Sequence, residues 1–596
     1  MQFFKIFFAN LLAILIALMV GVPLLLIVGF GILASAGSRQ SEVRVAEGSI
    51  LHLRLDQPIA EHAEEDPFRF DLPTSSPLGV FAASSSLGLY ELSEAIGQAQ
   101  RDERIQGIYL QMPGTVQAGW ASLSTLRERL LDFQSSGKFI YAYSELYDER
   151  SYYLASVADS LYLPPVGYLE FNGLASNPVF FTGLFEKLEV EPKIFRVGSF
   201  KSAVEPFFRK SMSDSSRLQT ERYLSGLWSV FAEEVALARG LSRARVDELA
   251  RTLVLADGRQ ALAAGLADRC AFEDEVLRQL ALASGKLADE KPSLLSYGKY
   301  RRAGGKNKPQ GANKIRVIIA EGDITGGKSG SGSAGSETLV AELRKAREDA
   351  KVKAVVLRIN SPGGSALASD LIAREVALCS QAKPLAASMG DLAASGGYYI
   401  AAPSRRIFAR KNTLTGSIGI FGLLFNTQQL FSSKLGITFD QVETHPSANV
   451  GNPNFPMSPA EEALLQRNVE RGYGDFVRVV QQGRGFADSL AVDRVAQGRV
   501  WSGEDALGLR LVDEWGGLDA AIAWAAREAG VENDYRVELR PRSTSPFERL
   551  LENMQEQARR QQLGLLYEDW KAWEALRRQL PASGLYALMP PQGEIR

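Results

Sequence analysis

The chain writes one unit twice, and among its 596 residues no other feature limits the fold as strongly. AIGQAQRDERIQGIYL (95–110) resembles ELRKAREDAKVKAVVL (342–357). Each opens as a charged amphipathic helix, passes an aspartate and ends in a short β-rich run. FEKLEVEPKIF (185–195) matches SSKLGITFDQV (432–442) at the same spacing, with Lys187 over Lys434. ALAAGLAD (261–268) and ALGLRLVD (506–513) follow at nearly that spacing. Three matches in order predict two similar domains, at 46–295 and 315–540. The stretch between them, SYGKYRRAGGKNKPQGANK (296–314), is basic and rich in Gly, and reads as an exposed linker. GGKSGSGSAGS (326–336) reads as a mobile loop, and residues 541–596 as a helical, charged extension.

Within each repeat, apolar runs alternate with helical stretches, which predicts an α/β fold with a largely parallel sheet. In the second repeat IRVIIAEGDI (315–324), KAVVLRIN (353–360) and KPLAASMG (383–390) read as strands. SETLVAELRKARED (336–349) and ALASDLIAREVALC (366–379) read as helices.

Residues 1–45 differ in kind. No charged residue occurs from Ile6 to Ala36, a run long enough to cross a bilayer. Ala34-Ser35-Ala36 resembles a cleavage site, but a signal peptide's apolar core is only about 7–15 residues long, so an uncleaved anchor is expected. Lys5 and the N-terminal amine balance Arg39 and Arg44, leaving orientation open by charge. The net charge of −2 offers no basic field for nucleic acid. His52, His62 and His445 are the only histidines and Cys270 and Cys379 the only cysteines, so no metal or other cofactor is indicated. A hydrolase built from this chain needs a base other than imidazole.

Chemistry concentrates in the second repeat. Ser361-Pro362-Gly363-Gly364-Ser365 sits between a strand and a helix, where Gly363 and Gly364 can present backbone N–H groups to a developing oxyanion. The corresponding QMPGTVQAG (111–119) keeps one glycine after its proline. The next strand ends in MGDLAASGGYY (389–399). Small neighbours leave Ser395 room to meet a carbonyl, and the Gly396 N–H can join the oxyanion site. Aligning the tyrosine pairs places Glu149 of the first repeat opposite Ser395, so that repeat has no nucleophile there.

RINSPGG (358–364), MGDLAASGGYYIA (389–401), NTLTGSIGIFG (412–422) and GRVWSGEDALGLRLVDEWGG (498–517) together resemble the hallmark segments of the signal peptide peptidase A family, in its long two-domain form. The resemblance implies tandem ClpP/crotonase-like domains, each a β-β-α superhelix, with an N-terminal transmembrane helix. It implies a bowl-shaped homotetramer on the bacterial cytoplasmic membrane, single-pass, with the catalytic body on the outer, periplasmic side. Its substrates would be apolar peptides, above all signal peptide remnants. The family's lysine base lies in a motif that reads here Gly198-Ser199-Phe200-Lys201-Ser202-Ala203-Val204-Glu205-Pro206-Phe207, which assigns Lys201 as base to Ser395. In the second repeat the matching position is Ala448, so base and nucleophile would come from different domains. By the same resemblance Ser417 holds the lysine amine in place.

A free lysine titrates near 10.4 and must be buried to act as a base at neutral pH. Phe200, Val204, Phe207 and Phe208 offer apolar surroundings, whereas Glu205 would oppose the shift. Lys411 and Lys434 are rival bases, and Asp391 reads as structural. Two other readings compete: a crotonase-type acyl-CoA enzyme, and a non-catalytic membrane scaffold on a degenerate peptidase fold.

Overall fold

The computed structural model describes residues 44–63, 86–252, 255–304, 311–330, 332–541 and 584–589. The first repeat contributes β1 (Ser49–Arg54), β2 (Ile105–Gln111), β3 (Phe139–Tyr143), β4 (Ser160–Leu163), β5 (Glu191–Arg196), β6 (Arg269–Cys270) and β7 (Leu294–Ser296). All but β5 form a parallel sheet in the order β6-β4-β3-β2-β1-β7.

The second repeat opens with β8 (Asn313–Glu321), β9 (Asp323–Thr325), β10 (Ser333–Gly335), β11 (Val352–Ser361) and β12 (Gly363–Ser365). It continues with β13 (Leu385–Ala394), β14 (Arg406–Ala409), β15 (Leu414–Gly416), β16 (Phe421–Asn426), β17 (Val500–Ser502), β18 (Glu514–Trp515) and β19 (Tyr535–Arg540). Its main path, β18-β14-β13-β11-β8-β19, is also parallel and follows the order of the first sheet strand for strand. An α/β unit is thus built twice, as the repeated sequence requires.

The centre of the second sheet is covered on both faces. Val355, Leu357 and Ile359 of β11 point into a core with Leu339, Leu343, Ile372 and Val376 of helices Ser336–Glu348 and Ala366–Ala382. The alternating Ala354 and Val356 join Ile522 and Ala525 of helix Leu518–Glu528 on the other face. A strand buried on both sides must be apolar at nearly every position, which is why KAVVLRIN reads as a continuous run.

A third sheet joins the repeats, in the order β10-β9-β12-β20-β16-β5, where β20 is Gly584–Leu588. In it β5 of the first repeat runs antiparallel to β16 of the second over six residue pairs, Arg196 opposite Phe421 through Glu191 opposite Asn426.

Three details differ from expectation. Tyr297–Gly304, within the stretch read as a linker, is a helix whose Tyr300 is buried against the first core. Ser333–Gly335, within the expected loop, pairs with β9. The described part of the expected helical extension, Gly584–Leu588, is a strand, because β12 and β16 supply hydrogen-bonding edges on both its sides. Almost all of the expected membrane anchor at 1–45 and most of the expected helical extension at 541–596 fall outside the described residues; among those described, no helix is long and apolar enough to cross a membrane.

Candidate active site

β13 ends at Ala394, and helix Gly396–Ala401 starts two residues later, so Ser395 alone makes the turn. It does so at φ 53° and ψ −114°, a conformation costly for a residue with a Cβ. Its N–H donates to Gly416 O at 2.7 Å, which pins the turn to β15. Gly396 carries the first N–H of the helix, where no preceding carbonyl is available as a partner. The other expected oxyanion donors lie on β12, which packs against helix Gly396–Ala401. The Gly363 N–H donates to Ser361 Oγ at 3.1 Å. Gly364, at φ 156°, lies so close to β9 that a Cβ there would be 2.0 Å from Ile324 O, so the position needs glycine.

Lys201 reaches Ser395 from the first repeat. Its Nζ lies 2.8 Å from Ser395 Oγ and donates to Ser417 O at 3.0 Å and Ser417 Oγ at 3.1 Å. Lys201, Ser395 and Ser417 are all 0% exposed. Burial alone pushes the Lys201 amine well below the usual lysine range. The expected opposition from Glu205 does not arise, because its carboxylate accepts from the Ser213 N–H at 2.9 Å and from Ser213 Oγ at 2.5 Å. The apolar wall also differs from expectation. Val204 and Phe207 are buried, but Phe208 is 36% exposed.

What encloses the lysine is largely backbone of the second repeat. A Cβ on Gly498 would lie 2.6 Å from Lys201 Cβ, and one on Gly419 would lie 3.2 Å from Lys201 Cδ. The Phe200 N–H donates to Gln497 O at 3.0 Å, locking the lysine loop against that turn. The Gly419 carbonyl also accepts from Ser395 Oγ at 3.4 Å. Gly419 and Gly498 sit inside GSIGIFG and GRVWSG, yet the sequence reading gave neither a role. Close approach to a side chain of the other domain leaves no local mark beyond the glycine itself.

The rival bases are elsewhere. Lys411 lies over the Trp515 ring, 4.7 Å from its centroid, and Lys434 pairs with Glu189 at 2.8 Å. Asp391 binds the start of helix Trp120–Ser135 through the Ser122 N–H at 2.8 Å and Ser122 Oγ at 2.6 Å, a contact between domains. A second such contact was not legible in the sequence. Arg358 of β11 donates to Glu61 through Nε at 2.7 Å and Nη2 at 3.0 Å, and to Met389 O through Nη1 at 2.7 Å. Burial opposes the Arg358 charge, but the Glu61 carboxylate outweighs it and holds the guanidinium in its charged form. Glu321, whose carboxylate accepts from the Glu61 N–H, is pushed up to about 7 by burial and then by the Glu61 charge.

The first repeat's counterpart is closed. Glu149 accepts from the Asn172 N–H at 2.7 Å and the Gly173 N–H at 2.9 Å, and burial raises its pKa to about 7. Among the described residues no cluster of His, Cys, Asp and Glu could hold a metal ion.

The model of peptidase family S49 matches this chain twice, at residues 132–288 and 377–532. The chain belongs to peptidase family S49. Relatives in the family include Protease 4 of Salmonella typhi, 35% identical over 85% of this chain and 82% of that protein. Protease 4 of Haemophilus influenzae is 35% identical over 85% of this chain and 83% of that protein. The chloroplastic serine protease SPPA of Arabidopsis thaliana is 34% identical over 84% of this chain and 73% of that protein. A ClpP1 mutant of Listeria monocytogenes shares 13% identity over 35% of this chain and 94% of that one, at a TM-score of 0.24 too low to carry an argument. As an S49 member of the long, two-domain form, the chain is a serine peptidase. The acyl-CoA and scaffold readings find no support in these relatives.

Proposed function

We propose that Ser395 is the nucleophile and Lys201 the general base of this peptidase, with Ser417 positioning the amine. The observation that carries the reading is the 2.8 Å contact between a fully buried lysine, depressed by burial, and a serine held in a strained turn. A neutral Nζ takes the Ser395 proton as Oγ attacks the substrate carbonyl carbon. The carbonyl electrons move to oxygen, which the Gly396 N–H and the backbone of Gly363 and Gly364 would stabilise. Collapse expels the amine, which takes the proton from Nζ and leaves an ester on Ser395. Water, losing a proton to Nζ, then attacks the ester; the carboxylic acid half leaves as Nζ returns that proton to Ser395 Oγ.

The substrates are apolar peptides, with signal peptide remnants first among them. A relative from Enterococcus faecium named as a putative signal peptide peptidase, 37% identical over 31% of this chain, supports this, as does the uncharged run from Ile6 to Ala36, which would tether the enzyme where such remnants lie. The wider reading follows: tandem ClpP/crotonase-like domains on a single-pass anchor in the bacterial cytoplasmic membrane, a periplasmic catalytic body and a homotetramer. The test is hydrolysis of an apolar peptide ester by wild type, Ser395→Ala and Lys201→Met. Loss of turnover in both folded variants is expected. Near-wild-type turnover by Lys201→Met would move the base elsewhere.

A further inference from the structure

β12 and β16 do not pair; β20 lies between them and pairs antiparallel with both. Gly363 and Gly364 face Leu588 and Ala587, while Phe421 and Gly422 face Tyr586 and Leu585. Take β20 away and the two edges face each other across roughly 10 Å, twice the usual spacing of about 4.8 Å between paired strands. That gap admits one extended peptide, held by backbone hydrogen bonds on both sides.

The register leads this slot to the nucleophile. Continuing the β16–β20 pairing by two residues brings Leu588 opposite Gly419, whose carbonyl accepts from Ser395 Oγ. On the other side the Met589 N–H donates to Pro362 O at 2.7 Å. Pro362 follows Ser361, whose carbonyl lies 2.8 Å from where a Cβ of Gly397 would be, two residues beyond Ser395. The Met589 side chain is 6% exposed and joins the apolar cluster that includes Ala394, Leu414 and Val500. Helix Gly396–Ala401 also lies against β20. With β20 in place, Ser395 and Lys201 are 0% exposed, so no substrate carbonyl reaches the nucleophile until something moves.

Resting on the proposed role of Ser395, we infer that residues 584–589 occupy the enzyme's own peptide slot, making the C-terminus an intramolecular competitor for extended apolar substrates. The bond after Met589 leads into Pro590, whose ring replaces the N–H and crowds the preceding residue, which suits a strand that holds the slot without being consumed.

The test compares the full chain with a chain ending at residue 583, and with Tyr586→Pro, which keeps the length but removes an N–H from the centre of β20. If the slot is open in about one-fifth of molecules, opening it permanently lowers the apparent KM for an apolar peptide about fivefold, with kcat little changed. The hexapeptide of residues 584–589 should then inhibit the truncated enzyme competitively. Hydrogen exchange in a Ser395→Ala background, where no turnover occurs, should show β12 and β16 amides losing protection on truncation and in Tyr586→Pro. Unchanged protection, or an unchanged KM in folded variants, would overturn the inference. Altered protection in a chain whose wild type hydrolyses no peptide would instead uphold the strand's placement and count against the peptidase reading.

Discussion

Replacing Lys201 by methionine should leave a protein whose stability no longer gains with pH in the way the wild type's does. The amine is fully buried, and burial is the sole cause of its depressed pKa. Between that depressed value and about 10.4, where a lysine of the unfolded chain titrates, the unfolded state binds one proton more than the folded state. Wild-type stability therefore rises by about 1.4 kcal/mol per pH unit across this window from Lys201 alone. The penalty is fully developed below the depressed pKa and gone above the unfolded one. Methionine has a similar length and no proton, so subtracting the two stabilities cancels every other titration. Against this, the substitution removes the contacts to Ser395 Oγ, Ser417 O and Ser417 Oγ, each worth about 0.5–1.5 kcal/mol net and nearly independent of pH. The absolute difference mixes both effects, whereas its slope reports the proton alone. Urea unfolding of both proteins from pH 7 to 10 gives that slope. A difference flat across the range would mean that the buried lysine keeps its proton in the folded state, and the general-base argument would fail with it.

Ser395→Ala should lower kcat by at least about 10³-fold while leaving urea unfolding near wild type, since it removes the attacking oxygen and little packing. Ser417→Ala leaves Lys201 Nζ the Ser417 carbonyl but not the hydroxyl, and should cost roughly tenfold in kcat with KM unchanged. The acid limb of its pH–rate profile should shift to lower pH, because an acceptor that favours the ammonium form is lost. Glu61→Ala strands the buried Arg358 and should destabilise the protein by about 3–5 kcal/mol in urea unfolding, with a paired Glu61→Leu, Arg358→Met variant recovering most of it. Gly364→Ala drives a methyl into Ile324 O and should abolish turnover in a chain that still shows α/β circular dichroism.

The fold was legible wherever it follows from local pattern. The doubled motifs anticipate two similar α/β domains, and the runs around Val355 and Ala386 read as the strands they prove to be. Ser395 stands out through its small neighbours, and Lys201 through its motif. The parts that escaped depend on partners distant in the chain. Glu61 and Arg358 lie 297 residues apart, and neither carries a local sign of the other. Gly498 looks like any turn glycine until the Lys201 backbone is placed against it. The strand at Gly584–Leu588 follows a helical, charged stretch, and its conformation comes from the two edges that receive it.

Lys201 and Ser395 are 194 residues apart and on different domains, so neither domain alone holds the pair proposed to cut. The second half carries the proposed nucleophile without the proposed base. On the proposed roles, reactivity is a property of the seam, where the Gly198–Lys201 loop seats on Gln497 and Gly498. On this reading a fragment holding either domain alone would be harmless, and activity would report that the two domains have met.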